Sequence, residues 1–385
     1  MNPTPGRRPL LLLAFGLALG PAWGGSALAQ GRMDMFRDPQ DGAFDMSAWL
    51  ATAGGFLPVV TPVTEPAVGY GGALALAFLH RPKGWGIEEA RRQFEARERM
   101  AIPSASVGFG MYTSNGSWAA GGGHIGIWGG GRWRYVGTLM VLGLELSQQR
   151  TRPSGRPIFI DYSLNGWGIL QSLQYRVGDS DLYVGGSYSL FSNTTAVTFQ
   201  GLPTLPEEES ALAGAGLGLM YDSRNSPFTP DRGVLAEVKG TRHDSALGGD
   251  YDYWSGAGKI RGWWDPAGSL VLGLRAEASA ASEGVPFWAR PSVSLRGIAR
   301  GRYTGDRAGT LESEVRWDFS RRWSVVGFGG AGWNVDRDGD TSRWVGGGGL
   351  GFRYLLARAF GMRGGVDLAW GEDGFAVYLT TGSAW

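Results

Sequence analysis

The 385-residue chain has no cysteine, only three histidines and a charged fraction of 18 %, below the ~25 % usual in globular domains. Without cysteine there is no disulfide scaffold, so stability must come from packing or from closed backbone hydrogen bonding. The three histidines, His80, His124 and His243, lie on separated segments, and no spacing places a histidine base beside a nucleophile. No run of side chains has metal-ligand spacing. The net charge of +1 argues against a polyanion partner, and nothing reads as a nucleic-acid binder. Glycine runs at 214–218 and 346–349 sit inside strand patterns, with no Gly-Lys-Ser/Thr after them, which excludes a phosphate loop. These absences predict no enzyme and no cofactor. Also missing is any apolar run near the ~20 residues a membrane helix needs.

What the chain has is glycine and alternation. Gly accounts for 66 residues, about 17 % against a usual ~7 %, without the strict period of collagen. Residues 1–29 read as a secretory signal peptide: Arg7 and Arg8, an apolar stretch from Leu10 to Leu19, then Ala27-Leu28-Ala29 before Gln30. Segment 30–54 is short and mixed, with Asp45 placed to cap a brief helix through Ala53.

From residue 55 to 385 a period of two takes over. Leu270, Leu272, Leu274, Ala276, Ala278 and Ala280 oppose Gly273, Arg275 and Glu277. Leu311, Val315, Trp317 and Phe319 oppose Glu312, Glu314, Arg316 and Asp318. One apolar and one charged face is the pattern of a strand between two different solvents. About sixteen such segments fit, each with enough residues for the ~9–11 that a tilted crossing strand requires. The expected fold is all-β, a transmembrane antiparallel β-barrel of about 16 strands. Tight connections at 129–131, 178–179 and 265–268 alternate with long ones at 148–157, 192–208 and 282–306, as periplasmic turns alternate with outer loops. A soluble barrel or sandwich also alternates. The leader and the tryptophans near strand ends (Trp128, Trp133, Trp263, Trp264, Trp323, Trp344, Trp370) instead suggest interfacial belts.

The loop 282–306 is long enough to suggest function or disorder. It carries Arg296 directly before Gly297, where the chain can turn without a Cβ penalty. A guanidinium reaching back into a lumen that contains Glu312 and Glu314 would meet a bidentate acceptor. Pro-Phe…Leu295-Arg296-Gly297-Ile298…Gly-Arg-Tyr-Thr-Gly305 resembles the inward-folded loop of the BamA/TamA-type outer-membrane assembly barrels, the bacterial surface antigen family. Asp222-Ser-Arg224-Asn-Ser-Pro-Phe228-Thr-Pro230-Asp-Arg-Gly233 resembles that family's periplasmic turn motif, and the last strand ends in aromatic Trp385. The motifs match in order, from Phe56 to Trp385. Segment 30–54 is too short for a POTRA domain of at least ~50 residues, so the likeness is to a member lacking them.

The resemblance implies an outer-membrane location and a role in assembling or translocating outer-membrane protein or lipid, with outer-membrane lipid and other assembly proteins as partners. It also implies an Arg296 lock onto Glu314 and a further acid on the strand after. Gly330 stands where that acid would be, so a one-sided lock on Glu314 or Glu312 is expected. Pro58 and Pro62 share one parity in the first strand, which places both missing N–H groups on one side. Toward the closing strand they would weaken the seam between first and last strands, the family's proposed lateral gate; facing outward past the paired region they would not. Lumen-facing charges elsewhere read as a salt network that fills the barrel. Residues 87–100 read as a short amphipathic helix. A passive porin-like or structural barrel is the competing function.

Overall fold

The period of two becomes a continuous antiparallel ladder. In the computed structural model, which describes residues 35–52, 56–63, 68–80, 87–88, 92, 104–151, 157–199, 205–337, 342–372 and 374–385, sixteen strands form one sheet in chain order. They are β1 (Phe56–Val63), β2 (Gly71–His80), β3 (Ser104–Thr113), β4 (Trp118–Trp128), β5 (Trp133–Thr151), β6 (Pro157–Arg176), β7 (Leu182–Phe199) and β8 (Glu208–Asp222). There follow β9 (Gly233–His243), β10 (Tyr253–Trp264), β11 (Leu270–Ala281), β12 (Arg307–Trp317), β13 (Trp323–Val335), β14 (Ser342–Ala357), β15 (Met362–Gly371) and β16 (Gly374–Thr381). The signal segment 1–29 and most of 87–100 lie outside the described residues. No helix among the described residues is long and apolar enough to cross a membrane, which has no bearing on strands.

The register carries one face around the whole sheet. Arg275 pairs with Glu312, and Glu312 with Gly330, so these residues share the inner wall. The opposite face exposes Val60, Leu74, Phe78, Leu139, Val141, Leu217, Leu274, Leu311 and Leu350. Aromatic side chains bracket that apolar band. Trp128, Trp133, Tyr175, Trp264, Trp317 and Trp323 stand at one end, and Tyr112, Trp118, Trp254, Trp344 and Trp370 at the other, as lipid interfaces favour. Trp263 is a correction to the expected belts. It has inward parity, is buried and packs against Trp385 at 5.9 Å.

Strand extends into two of the expected long loops, 148–157 and 192–208, whose residues 152–156 and 200–204 lie outside the described residues. β5, β6 and β7 run for 19, 20 and 18 residues, and the ladder continues out to Thr151↔Pro157. Ile158, Phe159 and Ile160, with Thr194, Thr195, Val197 and Thr198, are β-branched and aromatic residues that suit a pleated surface. Segment 282–306 is a long loop between β11 and β12, as expected.

The N-terminal segment docks on the end that carries the short turns. Asp45 accepts from the Ser47 N–H at 2.7 Å and starts α1 (Ser47–Thr52). Leu50 of α1 packs with Ala357, Ala359, Phe360 and Met362. Arg322, in the turn after β12, is gripped by Asp38, by Asp41 at 2.8 Å and by Asp45 at 2.6 Å. The hydrogen bond from Arg322 draws the Asp41 carboxyl down from 3.8 to about 2.

β1 and β16 come near each other, yet no ladder joins them among the described residues. The Ser114 N–H donates to the Tyr70 oxygen, which makes even-numbered β2 residues bond to β3 and odd-numbered ones to β1. Through Pro58↔Leu76 and Pro62↔Gly72, the even positions of β1 then direct their backbone groups away from β2. The Pro58 and Pro62 nitrogens therefore lie on the edge toward β16, where neither can donate.

Candidate functional site

Loop 282–306 lies against the inner wall of β12–β15. Val293, Leu295, Ile298 and Tyr303 are buried with Val345 of β14. Glycines on the wall make room for them. A Cβ at Gly330 would come within 2.9 Å of Leu295, and one at Gly347 within 2.5 Å of the Arg296 carbonyl oxygen. Gly297 turns the chain at φ 88°, a left-handed value that glycine adopts without strain. Its N–H donates to the Tyr378 hydroxyl of β16 at 3.0 Å.

That turn aims Arg296 at the wall. Its guanidinium donates to Glu312 of β12 and, through Nη1, to Asp367 of β15 at 2.8 Å. The two carboxylates are fully buried, and the Arg296 side chain is 8 % exposed. Glu314 lies 2.8 Å away, but the Arg296 Nη2 and Glu314 Oε2 atoms are not aligned as donor and acceptor, so this arm is a charge contact only. The guanidinium plane covers the Phe328 ring at 3.6 Å, a contact that strengthens where water is excluded. Two further arginines share the acids. Arg353 holds Asp367 by two bonds of 2.6 and 2.9 Å. Arg275 reaches Glu312 at 3.2 Å and the loop's Ser294 at 3.0 Å.

The expected one-sided lock is therefore corrected. Gly330 does stand opposite Glu312 on the next strand, but Asp367 supplies the second side from two strands further on. Asp367 has inward parity in β15; its pairing with Arg296 depends on sheet curvature, which no local pattern encodes.

Trp385 is a second correction. The chain leaves β16 at Gly382, whose φ is 89°, and turns inward instead of extending the seam. The Ser383 N–H donates to the Phe228 carbonyl. Trp385 then donates from Nε1 to Glu312 at 3.3 Å. The aromatic terminus thus belongs to the lock.

The turn motif forms a hub at the short-turn end of the lumen, next to the lock. Asp222 is buried and accepts from Arg134 at 2.8 Å and Arg224 at 2.9 Å. Asn225 accepts from the Asp231 and Arg232 N–H groups, which holds the turn. Pro230 is fully buried, Phe228 packs near α1, and Asp231 pairs with Arg316 of the inner wall. Gly233, at φ 104°, lets the chain re-enter β9. These contacts give the motif a structural role, with no bond-making group among them.

The histidines also need correction, because two of them are not isolated. Pairing of β2, β3 and β4 brings His80 and His124 to either side of Ser106, at 2.8 and 3.0 Å. His243 is separate, buried between the Ala213 oxygen and Ser255. No group of three or more potential metal ligands occurs among the described residues.

Sixteen strands in one antiparallel sheet, with a long loop held to the inner wall by an arginine, define the architecture, and solved β-barrel structures resemble this chain. BamA from Haemophilus ducreyi lacking POTRA domains 1–3 matches with a TM-score of 0.52 at 12 % identity, over 91 % of this chain and 81 % of that one. CdiB from Acinetobacter baumannii matches at 0.56 and 12 %, over 85 % of this chain and 59 % of its own. CdiB from Escherichia coli matches at 0.58 and 13 %, over 84 % and 61 %. The chain thus spans about three-fifths of the length of the CdiB chains. No protein-family model and no curated protein sequence matches it. The chain has the barrel fold of BamA and CdiB, as its motifs imply.

Proposed function

We propose that this chain is an outer-membrane barrel of the BamA/TamA type that assembles or translocates outer-membrane protein or lipid. The observation that carries the reading is a pairing of two features. A loop is held to the inner wall by the Arg296–Glu312–Asp367 lock, and the β1–β16 seam has no ladder among the described residues and two proline positions on its β1 edge. A barrel filled by its own loop offers little path for solutes along its axis. A seam without hydrogen bonds costs little to part and offers a lateral path into the bilayer. The apolar outer wall between aromatic belts supports an outer-membrane location. Lipid is then the direct partner, with periplasmic or outer-membrane assembly proteins as further ones. This role calls for no covalent chemistry in the lumen.

Depletion of the protein, followed by quantitative profiling of outer-membrane proteins and lipids, tests the proposal. A defined subset should fall and be restored by the wild-type chain but not by Arg296→Ala. An unchanged profile, or full rescue by a variant with the seam covalently closed, overturns it.

A further inference from the structure

The outer wall of β2–β4 carries a polar cluster on a lipid-facing surface that is mostly apolar or aromatic. Ser106 Oγ lies 2.8 Å from His80 Nε2 and 3.0 Å from His124 Nδ1. A hydroxyl has one proton, so it donates to one ring and accepts an N–H from the other. With a bare nitrogen of one ring and an N–H of the other facing it, the pair, whose ring centroids are 5.4 Å apart, supplies a base and a donor to one nucleophilic oxygen.

Its depth matters. His80 ends β2, Ser106 is two residues into β3, and the nearby Trp133–Tyr175 pair, at 4.7 Å, marks the interfacial belt at the short-turn end. The cluster thus sits where lipid headgroups meet acyl chains. His124 is framed by Tyr135 at 6.3 Å and Trp128 at 6.5 Å. From Ser106 toward the other rim, the outward positions of β3 and β4 are Gly108, Gly110, Gly122 and Ala120. A Cβ at Gly108 or Gly110 would meet only a backbone oxygen, at 4.0 and 3.9 Å. Exposed Leu74 and Phe78 of β2 rise on one side of this bare strip, and Leu139 and Val141 of β5 on the other. The strip runs about 20 Å, at ~3.3 Å per residue, to the exposed Tyr112. That is a channel for one extended acyl chain, ending at Ser106.

We propose that Ser106, with His80 and His124, is an acyl-transfer site that acts on ester-linked phosphoglycerides of the adjoining leaflet. Ser106 Oγ adds to the ester carbonyl carbon while its proton passes to the histidine that accepts it. The carbonyl π electrons move onto oxygen, which the N–H of the other histidine stabilises. Collapse breaks the bond to the glycerol oxygen, and that oxygen takes the proton from the imidazolium and leaves as lysophospholipid. Water then attacks the acyl-serine, and the same histidine relays its proton. The sum is ester plus water to fatty acid plus lysophospholipid, with no oxidant or reductant.

The test uses the full chain in vesicles of phosphatidylethanolamine and phosphatidylglycerol. A fluorophosphonate probe should label Ser106, mapped by mass spectrometry, and free fatty acid and lysophospholipid should accumulate together. Ser106→Ala should abolish both signals, and His124→Gln should slow fatty-acid release by about 100-fold. Both variants are first checked for wild-type heat-modifiable migration. As an independent readout, brief incubation should leave an acyl adduct on Ser106 of the wild-type chain. An unlabelled Ser106, label without fatty-acid release, or release unchanged in folded Ser106→Ala overturns the proposal.

Discussion

The weight of the lock falls unevenly on its residues. Removing the Arg296 guanidinium would leave Glu312 and Asp367 buried with one cationic partner fewer each, and stranding buried charge typically costs about 3–5 kcal/mol. Arg296→Ala should therefore lower the thermal midpoint measurably, while Glu314→Gln should cost well under half as much, because that arm lacks an aligned hydrogen bond. Differential scanning calorimetry in detergent checks the ranking; equal losses would contradict it. Arg296→Lys keeps the charge but not the planar fork that reaches two strands at once, and should recover only part of the loss. Asp41 gives a second residue-level expectation. Its carboxyl is held at about 2 by the Arg322 hydrogen bond, below the usual 3.8. A depressed acid contributes its full stabilisation above the unfolded value and loses it as pH falls through the folded one. Protease protection of segment 35–52 should thus be flat from pH 7 to about 5 and decline only toward pH 2. Arg322→Ala should remove that protection at every pH.

Single elements explain which parts of this architecture could be read in advance. The strands were legible because a two-residue period between lipid and an inner wall leaves no other placement for Leu311 beside Glu312. Gly297 and Arg296 stood out for the same reason, as a left-handed hinge and a cation in a loop flanked by two such strands. Proline parity located the weakened edge on one side of β1; choosing the side required the β2–β3 hydrogen-bond phase. Asp367 and Trp385 were not legible as lock residues. One depends on how far the sheet curves, the other on which way a tail turns after Gly382. The Ser106 cluster needs a three-strand register that separated histidines do not announce. Two substitutions probe the elements directly. Gly347→Val places side-chain atoms against the Arg296 carbonyl and should expel the loop tip, seen as new proteolysis near residue 297. At the seam, Val60→Cys paired in turn with Cys at Phe375, Val377 or Leu379 should give one efficient cross-link that impairs function. Full activity with a quantitative cross-link removes the gate.

The whole molecule joins two features that a passive pore does not need. Its interior is crossed by a loop tied to β12, β15 and, through Trp385, the chain's own terminus. Among the described residues its perimeter is laddered everywhere except between first and last strands. The N-terminal segment adds a clasp across the turn end through Arg322, which couples residues at the start of the described chain to β12–β15. Conductance across a planar bilayer separates this arrangement from an open pore most directly. The account expects low, fluctuating conductance from the wild-type chain, raised to a larger and steadier level by Arg296→Ala. A large, steady conductance in the wild type that Arg296→Ala leaves unchanged would contradict it.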